Sequence, residues 1–544
     1  MLLQDGHLHQ VDSEHAIGSD DREDRRTDFS ADHMTGFFDE DGNLVQMVGE
    51  KNARVLTTEP GSRTVLTGDH ADMRFALQAK EQKNDGTDAK DSVLHLVMAD
   101  GHAVAESIPL PQPGVQMPET RLLRSEHIEL EMKPGGQEVQ EIRTPSQAQL
   151  EFKPNRPDQS HRIVNTSHLR LIYGTSSYLD SFLAWNVSTE TEKPASTLKT
   201  SAKPGSPAAT PAPALTWSDR MTAKFMPNSN QVATIEQTGN FRYEEGARKA
   251  WARKALLEQT INRITLVDNA RVLDDTGSAT ADTIVMNQAN GDMDAKGHVV
   301  STHQPDPNQK PGTSMLDQKQ PMQAKADAMQ TRENNTKVHY QGHVLMWQGA
   351  SRVAADTVDI DRDTQSLHAA GNVVSELVDN KQTAGSPGEP QPGKTVASST
   401  TTPVFTIVRA PDVSYRDDTR IAFYTGGVEL TRDKMKVTSK QLKAFLNPKD
   451  DKNTSQSSLD HAFADGNVVI LENVGANRTR TGTSDHCEYY TKEDKVVLNG
   501  GSPQMIDSYK GVTKGRQLTY FNGDDHLIVE GENKQLAYTQ MKKR

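Results

Sequence analysis

Apolar and polar residues alternate along most of this chain, and at intervals the alternation runs through a glycine in the order apolar, any, apolar, any, Gly, any, apolar. Clear copies are Met293-Asp294-Ala295-Lys296-Gly297-His298-Val299, Leu367-His368-Ala369-Ala370-Gly371-Asn372-Val373 and Ala462-Phe463-Ala464-Asp465-Gly466-Asn467-Val468. Relatives end at Gly49, Gly342, Gly500 and Gly531. Alternation with period two places every second side chain on one face, so each copy predicts a half-buried strand whose inward row passes through the glycine. A single glycine in a strand marks a bulge or a close approach by another group; its recurrence marks a repeat architecture. A second phrase stands 16 residues upstream: Ala281 before Gly297, Ala355 before Gly371, Gly515 before Gly531. Between the two lie Asn, Asp and Gly clusters (287–291, 361–364, 522–525) with the chemistry of hairpin turns. The repeating unit is therefore strand, turn, strand.

The pattern is interrupted three times. Residues 187–216 carry five prolines, 301–335 form a polar run with Pro305, Pro307, Pro311 and Pro321, and 378–403 are rich in Gly, Ser, Thr and Pro. Such segments bury too little apolar surface to offset the entropy of ordering them. The expected organisation is N-terminal β repeats over 1–186, a linker at 187–216, β repeats at 217–300, an insertion at 301–335, a repeat at 336–377, an insertion at 378–403 and repeats at 404–544. One segment, 247–259, is made of good helix formers, but strand phrases flank it and it lacks a cap, so a strand is expected there.

Composition narrows the function. Only 34% of the 544 residues are hydrophobic and 5% aromatic, less than a globular enzyme of this length requires; stacked hairpins need less, because each unit contacts only its neighbours. The net charge of -13 (74 acidic, 61 basic) leaves no concentrated basic surface for nucleic acid. Cys487 is the lone cysteine, so no internal disulfide forms. No apolar run is long enough for a signal or membrane helix. Leu2, Leu8 and Val11 already read as strand residues, and we expect a signal or anchor upstream of residue 1.

Candidate chemistry is sparse. Asp359-Ile360-Asp361-Arg362-Asp363 opens like a calcium loop, but Thr364 stands where its glycine belongs and Ala370 where its bidentate Glu belongs. The 18 histidines show no metal-ligand spacing, and no nucleophile elbow or phosphate loop occurs. No cofactor is expected. What remains is the apolar row: Ile284, Met286, Met293, Val299, Tyr340, Val344, Met346, Val358, Ile360, Leu367, Val373, Val468, Ile470, Val496, Leu498, Leu527 and Val529. It reads either as core between two sheets or as the lining of a groove; its mixture with Ala, Gly and Met, which pack loosely, suits a long apolar guest.

The stretch from Tyr243-Glu244-Glu245-Gly246-Ala247-Arg248 through Asn262-Arg263-Ile264-Thr265-Leu266-Val267-Asp268-Asn269 to Ala281-Asp282-Thr283-Ile284 and Ala295-Lys296-Gly297-His298-Val299 resembles the OstA-like (organic solvent tolerance) repeat. That repeat belongs to periplasmic proteins of lipopolysaccharide transport, both the bridge protein and the N-terminal domain of the outer-membrane translocon. The likeness is clearest over 217–544 and weaker over 28–186. It implies an all-β, open two-sheet β-jelly roll (β-taco), elongated and built from repeated hairpins, with acyl chains carried in a continuous hydrophobic groove. It also implies a non-enzymatic protein of the periplasm that binds lipopolysaccharide or a related glycolipid and meets other jelly-roll proteins of the export machinery. The strand-like stretch 534–540 after the last unit presents an open sheet edge, from which end-to-end self-association is expected. Two rivals stay open: a structural or adhesive cell-surface β-solenoid, favoured by a closed, filled interior, and a carbohydrate-active β-helix enzyme, favoured by a cleft with converging carboxylates.

Overall fold

The structure is a computed structural model and describes all residues except 5, 23–24, 80–89, 115, 176–177, 195–211, 305–319, 383–400, 448–458, 476, 524, 532–537 and 542–544. Nearly all of the described chain is strand, and its regular helix is confined to single turns such as Gln259–Ile261. The chain divides into two compact units, Met1–Val272 and Leu273–Arg544.

In the second unit consecutive strands pair antiparallel in a meander, and almost every pairing slips register in mid-strand. Between Lys296↔Ala328 and Val299↔Ala326, residues 297–298 face residue 327 alone. Residues 342–343 likewise face 356, between Gln341↔Thr357 and Val344↔Ala355. One extra residue on a strand bends it and strengthens its twist. The extra residues fall on alternate strands: Met293–His303, Lys337–Gln348, Ser366–Gln382, Ile421–Arg432 and Leu459–Gly475. Aligned across neighbours, they form a seam that folds the sheet into two layers, here called front (293–296, 337–341, 366–370 and their partners) and back (299–303, 344–348, 373–378 and theirs).

The far end of this unit shows the layers separately. Arg478–Tyr490 is the last strand shared by both: its residues 486–490 pair with Lys495–Asn499 and its residues 480–483 with Gln504–Asp507. From there the front layer continues through Gln517–Phe521 to His526–Glu530, and the back layer through Gly511–Lys514 to Tyr538–Met541.

The first unit repeats this design. A meander from His7–Arg22 reaches Thr120–Met132, which forks onto Ala148–Lys153 and Val139–Thr144; the branches rejoin on Leu179–Thr191. Its core draws on both branches at once, packing Leu123 and Leu150 from one with Ile128 and Leu171 from the other. The all-β two-layer expectation is met, and residues 248–258 are a strand.

Three boundaries differ from the expected ones. The insertion read at 301–335 contains the strand Met322–Arg332, whose inward residues are Ala324, Ala326 and Met329. Alanines give a weak apolar signal, and a strand between two bulged ones carries no glycine phrase. The linker read at 187–216 shrinks because Leu179–Thr191 and Ala214–Phe225 take both its ends. Ser366–Gln382 and Thr401–Arg416 do the same to 378–403. The middles of all three stretches lie outside the described residues. Gly49 also differs from its relatives: the bulge on its strand is at Lys51 and Asn52, and Gly49 itself packs close to Ala31.

Candidate functional site

The seam explains the recurrent glycine. Gly297 has φ +77°, a left-handed conformation that costs an L-residue side chain dearly, and the Asp282 carboxylate of the neighbouring strand lies where its Cβ would be, with Oδ2 2.1 Å away. Asp327 roofs Gly342 and Asp356 roofs Gly371 in the same way. The residue after each glycine is also left-handed and donates to or bonds the same carboxylate: His298 Nδ1 to Asp282 at 2.9 Å, His343 Nδ1 to Asp327 at 2.8 Å, Asn372 Nδ2 to Asp356 at 2.9 Å. The first unit repeats the set with Asp69, Gly101 and His102. These exposed polar groups therefore order the outside of the fold line.

The side chains of the apolar row point the other way, into the space between the layers. Ile284, Met286, Met293, Tyr340, Val358, Ile360, Leu367, Val496, Leu498, Leu527 and Val529 stand on the front layer; Val299, Val344, Met346, Val373, Val468 and Ile470 stand on the back. Burial varies along the strands. Residues next to the seam, such as Val299, Val344, Val358 and Val373, are closed off, whereas Met286, Met293, Ile360, Leu527 and Val529, near strand ends, are half-buried. The interior is thus tight at the fold line; near the turns it is closed at some strand ends, as at Val338, Met346 and Leu459, and half-buried at others.

Sequence reasoning expected β repeats over 404–544 but left three of their strands out of the apolar row. Thr401–Arg416, Ile421–Arg432 and Met435–Leu446 add Val408, Val413, Tyr424, Leu430, Val437 and Leu442, as deeply buried as any residue expected. Their alternation is present in the sequence and was the signal available.

Polar groups also reach the interior. Ser301 on the back layer and Tyr340 on the front share a buried hydrogen bond of 2.8 Å across the gap. Tyr424 faces Ser375 from the opposite layer, and burial pushes its phenol up to about 12. Tyr415 donates to Asp417 at 2.8 Å. At the end of the second unit a narrow gap between the layers, with room for about one water molecule, is lined from both layers by Met435, Ile470, Val496, Leu498, Met505 and Tyr520, with Glu472 and Arg480 at its wall.

The hairpin tip at Asp361 carries no metal-like geometry: its carboxylate accepts the backbone N–H groups of Asp363 and Thr364 at 3.0 and 3.1 Å. Among the described residues no group of three or more His, Cys, Asp or Glu is placed to hold a metal ion. Among them, too, no helix is long and apolar enough to cross a membrane.

Fold and interior define a two-layer antiparallel β-jelly roll with an apolar inside. The family described as LptA/(LptD N-terminal domain) LPS transport protein matches residues 215–292, 323–396 and 407–525. The chain belongs to this OstA-like family of periplasmic lipopolysaccharide transport, whose domains bind and carry and are not enzymes. No curated protein matches the chain as a whole or in part. Among solved structures it is similar to LptH, the LptA homologous periplasmic component of the conserved lipopolysaccharide transport device from Pseudomonas aeruginosa, at 12% identity and a TM-score of 0.22, over 25% of this chain and 95% of that one.

Proposed function

We propose that this protein holds the acyl chains of lipopolysaccharide or a related glycolipid between its two layers, with the sugars in water, and hands it on toward the outer membrane. The observation that carries this reading, beside family membership, is an apolar row supplied by both layers, which are joined at the seam. Among the described residues of the second unit, no strand pairing ties the layers at their turn sides, so they can part there without breaking a ladder. Each CH2 taken from water contributes about 0.8 kcal/mol, so a guest with several chains binds without any catalytic group. The closed packing beside the seam is also what a structural solenoid would show; family membership and the half-buried Met286, Met293 and Ile360 favour transport.

Met293→Asp and Ile360→Asp test the reading. Both sites are half-buried, so the free protein tolerates the charge, whereas among acyl chains it would sit unpaired at a cost of several kcal/mol. Fluorescent lipopolysaccharide should be retained by the wild type and lost by both variants. Equal retention by folded variants would refute the groove.

The partner side of the proposal rests on the terminal edges. Among the described residues the last front-layer strand is His526–Glu530 and the last back-layer strand Tyr538–Met541, and a sheet edge offers unpaired backbone groups to another strand. A photocrosslinker at Tyr538 should capture a second jelly roll, of this chain or of another transport component. An inner-membrane tether upstream of residue 1 belongs to the same reading.

A further inference from the structure

The open side of the second unit is clasped at one place by charge. Arg478 and Arg480 project from the back-layer end of Arg478–Tyr490, and Asp525 belongs to the turn between the front-layer strands Gln517–Phe521 and His526–Glu530. Arg478 Nη1 donates to Asp525 Oδ2 at 3.0 Å and its Nη2 to Oδ1 at 3.2 Å; Arg480 Nη2 also donates to Oδ1, and Lys510 Nζ to Oδ2 at 2.8 Å. Three cations of the back layer thus converge on one front-layer carboxylate. The arginines are held in place from their own layer, Arg478 by Asp507 (Nη2 to Oδ2, 2.6 Å) and Arg480 by Glu472 (Nη1 to Oε2, 2.9 Å). Arg480 is 4% exposed, lies 3.9 Å over the Tyr520 ring and forms part of the wall of the apolar gap, whereas Asp525 is 34% exposed.

This arrangement is more than holding two sheets together requires. A carboxylate has two oxygens, whereas three convergent donors suit the three terminal oxygens of a phosphate monoester; with Asp507 and Glu472 beside them the cations keep a net positive charge once Asp525 has left. Directly behind them Met435, Ile470, Val496, Leu498 and Met505 line a gap that is closed in the free protein and would present an apolar surface to an acyl chain once the layers part. We propose that Arg478, Arg480 and Lys510 form the receiving site for a phosphate carried on an acylated lipid, and that Asp525 occupies it in the free protein. The incoming phosphate displaces Asp525; because Asp525 is the charged group by which the front layer holds these cations, with only the Tyr520 ring under Arg480 beside it, its displacement loosens the mouth and admits the acyl chains. The inference rests on the transport reading and names the headgroup chemistry that reading leaves open.

The experiment uses the full chain and two readouts. The first is binding of lipid A bearing its phosphates against the enzymatically dephosphorylated lipid. The second is the maleimide labelling rate of Cys487, the lone cysteine, which is 2% exposed and pairs with the gap-lining Leu498. The wild type should prefer the phosphorylated lipid about tenfold, a difference of about 1.4 kcal/mol. Asp525→Asn, with the clasp loosened, should label Cys487 severalfold faster without lipid and bind the phosphorylated lipid more tightly; Arg478→Gln should lose the preference. Equal affinity for the two lipids, or unchanged labelling in folded Asp525→Asn, overturns the proposal. Inorganic phosphate alone accelerating labelling as much as the lipid would make the site one for the free anion and overturn the lipid assignment. Failure of both lipids to bind would overturn the transport reading, while the Asp525→Asn labelling rate still decides whether the clasp gates the interior.

Discussion

Gly297→Ala tests whether the seam is what builds the two layers. Two costs add at this position. Alanine at φ +77° loses about 1–2 kcal/mol to the left-handed backbone. Its Cβ would also stand 2.1 Å from Oδ2, 2.7 Å from Cγ and 2.9 Å from Cβ of Asp282, so the whole side chain must swing away, an overpacking cost of about 1–3 kcal/mol. The sum, about 3 kcal/mol, corresponds to a fall in melting temperature of roughly 6–12 °C for a unit of this size. Two comparisons separate the terms. Gly427 has φ +98° with nothing within 4 Å of the Cβ position, so Gly427→Ala should pay for the backbone only. Asp282→Ala introduced beside Gly297→Ala removes the carboxylate but keeps its own Cβ 2.9 Å away, so it should recover most but not all of the steric part, about 1–2 kcal/mol, as a coupling in the double-mutant cycle. Urea unfolding of the full chain, followed by circular dichroism, gives all four values. If Gly297→Ala costs no more than Gly427→Ala and Asp282→Ala restores nothing, the carboxylate roof is incidental and the account of the seam is wrong.

Tyr340→Phe removes one partner of the cross-layer bond and leaves the Ser301 hydroxyl buried without it, so it should destabilise by about 1–3 kcal/mol; a matching Ser301→Ala should bring back part of the loss in the same urea assay. Stability should also fall as pH rises from 6 toward 8.5. Burial works to lower the pKa of His127, but its contacts with Asp100 and with Glu129, the latter at 2.9 Å, outweigh this and raise it; Asp69 and Asp327 raise His102 and His343. A histidine raised in the folded state contributes stability that is complete below its unfolded value near 6.5 and is lost as pH climbs through the folded value. His127→Gln should flatten the melting temperature against pH, and an undiminished slope in that variant would assign the effect elsewhere. Cys487, whose thiol burial pushes up to about 12, should resist thiol reagents at pH 8 in the wild type and react at once in denaturant.

The strands were legible because alternation is a local property: which face a side chain occupies follows from its parity within one strand. The turns were legible for a similar reason, since Asn287 and Asp361 bond backbone N–H groups only two or three residues away. The glycine phrase was visible, and so was its upstream partner, but their meaning was not. Asp282 and Gly297 are 15 residues apart, and only pairing in register puts the carboxylate over the left-handed glycine. The strand Met322–Arg332 escaped notice because two of its inward residues, Ala324 and Ala326, are alanine and the bulges beside it are carried by its neighbours. The assignment of Ser301 and Tyr340 to opposite layers, and the meeting of Arg478 and Arg480 with Asp525 more than forty residues away, depend on where the extra residue falls in each strand. Sequence by itself determined the strand and turn content and the apolar row, because backbone preference and side-chain parity act over a few residues. Only the tertiary structure decided which half of each strand faces which, because a two-against-one bulge redirects everything beyond it and its effect appears only when all the neighbours are in register.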